Sequence, residues 1–208
     1  MTKLDYVKDG AEIYRRSFST IRREADLANV PADIEPLAVR LIHTCGMTDL
    51  PGDLAFHPDV VKAGRQALRN GAPILCDANM IASGVTRPRL PADNEVLCML
   101  SDPSVPGLAE QFGTTRSAAA IELWRDKVEG AVVAIGNAPT ALFHFLERLD
   151  SGWPKPAAIL AFPVGFIGAA ESKDELARNS RGVPFVTLRG RRGGSAMTVA
   201  AINAIASE

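Results

Sequence analysis

Five short apolar runs limit what this chain can fold into. "PILC" (73–76), "VLCML" (96–100), "AVVAI" (131–135), "AAILAF" (157–162) and "PFVTL" (184–188) are four to six residues long and lack alternating polar positions. A strand with one solvated face alternates. A strand covered on both faces stays apolar throughout, as in a parallel sheet under helices. Helical patterns separate the runs: "NMIASG", "VPGLAEQFGTTRSAAAIELWRDKV", "APTALFHFLERL" and "SKDELARNS", with "GSAMTVAAINAIAS" after the last. Repeated β–α steps predict an α/β fold with a mainly parallel, about five-stranded sheet flanked by helices. Residues 1–70 read instead as an N-terminal helical layer. In "DGAEIYRRSFSTIRREADL", Ile13, Ser17, Ile21 and Ala25 fall four apart on one face. "PADIEPLAVRLIHTCG" opens at a proline and closes at Gly46, and "HPDVVKAGRQALRNG" stops at Gly71.

The chain has 208 residues. That suits a single domain over 1–208, large enough to bury roughly 70% of its unfolded surface without a disulfide or metal staple. Net charge is −1, so no protein-wide field recruits nucleic acid; an anion site here must be a local cluster of arginines. Cys45, Cys76 and Cys98 make no CxxC and no zinc spacing, which predicts free thiols in a reducing compartment. No apolar run reaches about 18 residues, and "MTKLDYVKDG" carries no apolar signal region. The expectation is a cytoplasmic protein with no membrane partner.

In parallel sheets ligands sit beyond the carboxyl ends of the strands. The segments to weigh are therefore "DANM", "SDPS", "GNAPT", "PVGF" and "RGRRGGS". In "LRGRRGGSAM", Arg189, Arg191 and Arg192 precede two glycines and a helix start, an arrangement that can bind an anion. It is neither GxxxxGK[ST] nor GxGxxG. A glycine-rich turn with solvated arginines is the ordinary alternative. In "FGTTRSAAAIEL", Thr114 or Thr115 suits an N-cap, and Arg116 then sits against the helix dipole. That placement hints at an anion, although a plain surface arginine costs only about 0.3–1 kcal/mol there. In "YRRSFS", Ser17 is flanked by Arg15 and Arg16; taken alone it reads as a serine bonded back to its own helix.

The chain has three histidines. His144 lies on an apolar helix and reads as a packed side chain, and His57 precedes a proline near a helix start. His43, in "RLIHTCGMTD", falls in the last turn of its helix, where the carbonyl ends favour imidazolium. That suits a proton donor better than a general base. Metal binding is disfavoured by the histidine spacing. A His43–Cys45 pair is disfavoured too, because residues two apart on a helix point about 200° away from each other. A helix-capping histidine without chemistry stays open on these grounds.

Taken in order, "RSFSTIRREAD", "RLIHTCGMTD", "CDANMIASGV", "SDPSV", "GTTRSAAAIEL", "IGNAPTALF", "FPVGFIGAAESKDEL" and "GRRGGSAMTVAAINA" resemble the precorrin-8X methylmutase family of cobalamin biosynthesis. The resemblance runs nearly end to end. It implies an isomerase that moves a methyl group from C-11 to C-12 of a corrinoid macrocycle, turning precorrin-8X into hydrogenobyrinic acid. It implies no redox cofactor and no catalytic metal. It also implies a homodimer with sites near the subunit interface, and a possible hand-over to neighbouring pathway enzymes. His43 stands where the family has its proton donor and acceptor, and Ser17 where it has a residue linked to substrate binding. A polycarboxylate substrate then makes Arg15, Arg16, Arg116, Arg189, Arg191 and Arg192 candidate anion contacts. Met80, Phe166 and Leu188 become candidate walls for the macrocycle, with Thr86 and Ser117 as further substrate contacts. Four alternatives remain: a non-catalytic corrinoid carrier, a cobalt-containing precorrin-8 as substrate, an enzyme acting on a nucleotide or sugar phosphate through "RGRRGGS", and an apolar-face dimerisation protein with no ligand, which leaves the loop arginines unexplained.

Overall fold

Four of the apolar runs become strands in which every residue finds cover on both faces. The computed structural model describes residues 4–207. Its strands are β1 (Leu54–Phe56), β2 (Ile74–Cys76), β3 (Val96–Leu97), β4 (Val132–Ile135), β5 (Ala158–Ala161) and β6 (Phe185–Leu188). They form one sheet in the order β1-β6-β5-β4-β2-β3. All neighbours are parallel except β1, which lies antiparallel against β6 with Leu54 opposite Leu188. Every residue of β2, β4, β5 and β6 is buried. The α/β architecture with a mainly parallel sheet is thus as expected, with six strands rather than about five. β1 is absent from the apolar runs because its three residues are only half-buried, as an edge strand allows. β3 is also an edge, and only two residues of "VLCML" pair.

Side chains alternate between two cores, as the two-residue strand period requires. Val132, Ala134, Ala158, Leu160, Val186 and Leu188 point into one. Leu75, Val133, Ile135, Ile159, Ala161 and Phe185 point into the other. The first core is covered by α1 (Gly10–Glu24), α2 (Glu35–Cys45), α3 (Val60–Arg69), α4 (Asn79–Gly84) and α9 (Ser195–Ala206). The second is covered by α7 (Pro139–Asp150) and α8 (Ala169–Arg178). Between β3 and β4 the chain crosses through α5 (Val105–Phe112) and α6 (Arg116–Ala119).

The N-terminal layer forms where local signals place it. Asp9 caps α1 by accepting the Ala11 N–H at 2.9 Å. Gly46 ends α2 at φ 73°, donating its N–H to the Ile42 carbonyl at 2.7 Å. The apolar stripe of α1 is only half used: Ile21 is buried, whereas Ile13 is 45% exposed. The first turns of α1 stand clear of the core.

The middle of this layer is α9, buried along almost its whole length. Its alanines leave room for α2, α3 and α4 to pack closely around it. Gly136, after β4, admits α9 to the sheet: a Cβ there would lie 2.0 Å from the Thr198 Oγ1. Ile202 is wholly buried in α9. Ile202→Ala is expected to lower stability by about 2–5 kcal/mol, read from urea unfolding with the native spectrum retained.

Candidate active site

The sheet changes direction between β2 and β4, since β3 lies to one side of β2 and β4, β5 and β6 to the other. Such a switch is the usual ligand crevice. Here a protein carboxylate fills it. Asp77, 2% exposed, accepts N–H groups from Gly136 (2.9 Å), Asn137 (3.0 Å) and Ala138 (2.8 Å). Burial raises its carboxyl above the ordinary range, and the three donors oppose that rise.

The open space lies instead in the helical layer, between the end of α2 and the start of α9. One hollow of about 490 Å³ is walled by Tyr14, Arg40, His43, Thr44, Met80, Gly84, Thr86, Arg89, Ser195, Ala196, Val199, Ala200 and Asn203. A second, about 380 Å³ and mostly apolar, is walled by Thr44, Cys45, Met47, Val164, Gly165, Phe166, Arg191, Arg192, Gly193, Ala196 and Met197. Thr44 and Ala196 belong to both walls, so the hollows adjoin.

His43 sits in the last turn of α2 and faces α1. Its Nδ1 is 2.7 Å from the Ser17 Oγ. Ser17 therefore bonds across to His43 rather than back to its own helix. The rings of Tyr14 and Phe18 flank the imidazole, each with its centroid 5.3 Å away. One turn earlier on α2, Arg40 places its guanidinium 5.8 Å from the Phe18 ring. Burial first, and then the like charge of Arg89, hold Arg40 below the usual arginine range. Among the described residues neither Arg40 nor Arg89 has a carboxylate partner. Two cations held near each other without a counter-ion form a local anion site.

The turn between β6 and α9 is fixed from several sides. Gly194 donates its N–H to the Phe162 carbonyl at 2.7 Å. Gly193, at φ 159°, has no room for a side chain, because a Cβ would meet that carbonyl oxygen at 2.2 Å. The buried Lys173 Nζ donates to the Arg192 carbonyl at 2.5 Å. The Arg192 guanidinium bonds both oxygens of Asp49 (3.0 and 2.9 Å) and also Asp53. These bonds raise Arg192 above its ordinary range.

These positions sort the expected site residues. His43, Ser17, Met80, Thr86, Phe166, Arg191 and Arg192 come together around the two hollows, with Ser17 reaching the wall through His43. Arg192 is already committed to Asp49 and Asp53, which makes it a clasp rather than a free anion contact. Among the described residues Arg191 has no acidic partner, and it lies 5.4 Å from the Phe166 ring. Arg189 pairs with Asp174, and Arg15 and Arg16 pair with Glu12, all away from the hollow walls. Arg116 begins α6, capped by Thr115, and reaches the Leu100 carbonyl at 3.4 Å; neither it nor Ser117 lines a hollow. The expectation for Leu188 is corrected: it is fully buried, because the strand period turns it into the core with Val186. Of the five loop segments, "SDPS" and "GNAPT" contribute nothing to the walls. His144 is a packed partner of Glu122 at 2.5 Å, and the His57 Nδ1 accepts the Asp59 N–H at the start of α3.

Tyr14, Arg40, Arg89 and Asn203 are wall residues the sequence reading omits. Helical spacing carries a signal for three of them. Arg40 is three residues before His43, Tyr14 is three before Ser17, and Asn203 shares a face with Ala196, Val199 and Ala200. Arg89 has no such signal. It arrives through the turn that Asn203 pins by accepting the Thr86 N–H at 3.0 Å.

The precorrin-8X methylmutase family model matches residues 12–208. The chain belongs to that family. A precorrin-8X methylmutase of Pseudomonas aeruginosa is 64% identical over 205 residues, covering 99% of each chain. One of a Sinorhizobium species is 60% identical over 206 residues, covering 99% of this chain and 98% of that one. The crystal structure of a precorrin-8X methyl mutase from Thermus thermophilus superposes with a TM-score of 0.85, at 36% identity, over 95% of each chain. Precorrin-8X methylmutases are methyl-transferring isomerases of cobalamin biosynthesis, and the walls described above are this member's candidate active site.

Lys173 gives the site's clasp a measurable signature. Burial, with a smaller push from Arg192, lowers its ammonium from 10.5 to about 8, against the pull of Asp174 and Asp53. The unfolded chain keeps that proton up to about 10.5, so between these values it binds more protons than the folded one. The cost of the buried charge is present in full below about 8 and is relieved as pH rises to 10.5. Wild-type stability, measured against Lys173→Met by urea unfolding at a series of pH values, is expected to rise across this window. A flat difference would contradict the assignment.

Proposed function

We propose that this chain moves a methyl group from C-11 to C-12 of metal-free precorrin-8X, giving hydrogenobyrinic acid. The observation that carries the reading is His43 at the wall of a hollow that also holds Arg40 and Arg89, neither with a carboxylate partner among the described residues. A sigmatropic methyl shift needs no nucleophile. It needs a proton on the macrocycle to change its electron distribution, and removal of that proton afterwards. His43, at the carbonyl end of α2, is placed to give a proton to a ring nitrogen and take it back. Arg40, Arg89 and Arg191 meet peripheral carboxylates, with Arg116 as an outer contact. The apolar second hollow suits the macrocycle's hydrocarbon edge.

The metal-free substrate is favoured by the two relatives at 64% and 60% identity, whose names carry no cobalt. The protein works as a cytoplasmic homodimer with its hollows near the subunit interface and passes its product to the next pathway enzyme. In support, Met80 and Phe166 on the hollow walls are 71% and 84% exposed, and Ile167, next to Phe166 in the chain, is 91% exposed, more apolar surface than a solvated rim requires. The free cysteines suit a reducing compartment.

Incubation of purified enzyme with precorrin-8X, followed by visible spectroscopy, tests the reaction. Product is expected well beyond one equivalent; a spectral change that stops at one equivalent would mean a carrier. His43→Ala is expected to lower kcat at least about 100-fold with corrinoid binding retained. Arg40→Met and Arg89→Met are expected to raise KM at least about tenfold while kcat changes little. Unchanged KM in both would remove the arginine pair from substrate binding.

A further inference from the structure

We propose that Ser17 is a positioning residue that keeps a proton on the His43 Nδ1, so that His43 exchanges protons with substrate through Nε2 alone. This rests on reading His43 as the proton donor. The Ser17 Oγ lies 2.7 Å from Nδ1 and has no other hydrogen-bond partner among the described residues. Nε2 has none either. Two arrangements fit the distance: Nδ1–H donates to the hydroxyl oxygen, or the hydroxyl donates to a bare Nδ1.

The proton cycle selects between them. A donor that works from Nε2 alternates between imidazolium and a neutral ring that still carries Nδ1–H. Nδ1 holds its hydrogen in both states, so Ser17 accepts throughout and never has to rotate. In the other arrangement every protonation of the ring would turn Nδ1 from acceptor to donor and force the hydroxyl to flip. Tyr14 and Phe18, each with its centroid 5.3 Å from the imidazole, restrain the ring against turning over and exchanging its nitrogens. The tautomer of a histidine follows from the bond its other nitrogen makes.

The test uses the full-length, substrate-free protein labelled with 15N. Its three imidazoles are resolved by long-range 15N–1H NMR, with His43 assigned from a His43→Gln variant. In the neutral ring, wild type is expected to carry its proton on Nδ1 and leave Nε2 bare. Ser17→Ala is expected to move most of the population to Nε2–H. In turnover, Ser17→Ala is expected to lower kcat at least about tenfold, with KM within about twofold; Ser17→Thr, which restores the hydroxyl, is expected to recover most of the loss. A wild-type ring protonated on Nε2 overturns the assignment. So does a Ser17→Ala loss confined to KM. Full activity in His43→Ala would instead remove the proton-donor reading and leave the NMR result intact.

Discussion

The candidate site depends on one backbone contact, the close approach of the Gly193–Gly194 turn to the Phe162 carbonyl at the end of β5. That contact sets where α9 begins, and α9 is the helix around which α2, α3 and α4 pack. The Arg192 side chain extends the same turn sideways to Asp49 and Asp53, in the loop just after the helix that carries His43. A side chain at Gly193 would push the turn away from β5, and both hollows would lose a wall. The two halves of the site come from segments well over a hundred residues apart in the chain, joined by this clasp.

Charge is divided along the same lines. The protein is close to neutral, so its attraction for an anion depends on which arginines remain unpaired. Arg192, Arg189, Arg15 and Arg16 are held by protein carboxylates. Among the described residues Arg40, Arg89 and Arg191 have no such partner. An arginine already neutralised has little left to offer a second carboxylate, whereas an unpaired one beside another cation gains on both counts when an anion arrives. Composition counts these groups alike; only the packing separates them.

Much of the fold was legible because a strand buried on both faces leaves a local mark: every position in "AVVAI" and "PFVTL" is apolar or nearly so. The edge strand β1 left no mark, since its neighbours on one side are solvent and its residues need satisfy only β6. His43 was legible by its place before Gly46, a local capping signal. Its partner Ser17 was not, because a hydroxyl on a helix looks the same in sequence whether it bonds its own backbone or a neighbour 26 residues away. Leu188 failed for a related reason. Whether the last residue of a strand faces a cavity or a core depends on the helix packed above it, and the strand alone does not say.

Asp77 has a consequence for how substrate meets this protein. In many open α/β sheets the loops at the switch point are organised by the ligand, so part of the binding free energy is consumed in ordering them. Here an internal carboxylate already sits there and satisfies Gly136, Asn137 and Ala138. It behaves as a resident hydrogen-bond acceptor, a surrogate ligand supplied by the chain itself. The switch-point loops find their hydrogen-bond partner within the chain, so a ligand in the helical layer spends no binding free energy on satisfying them. What a ligand there would still have to order are the exposed side chains at the rim, Met80 and Phe166. The carboxyl ends of β2 and β4 are thereby closed to an outside ligand, and the space for one lies across in the helical layer.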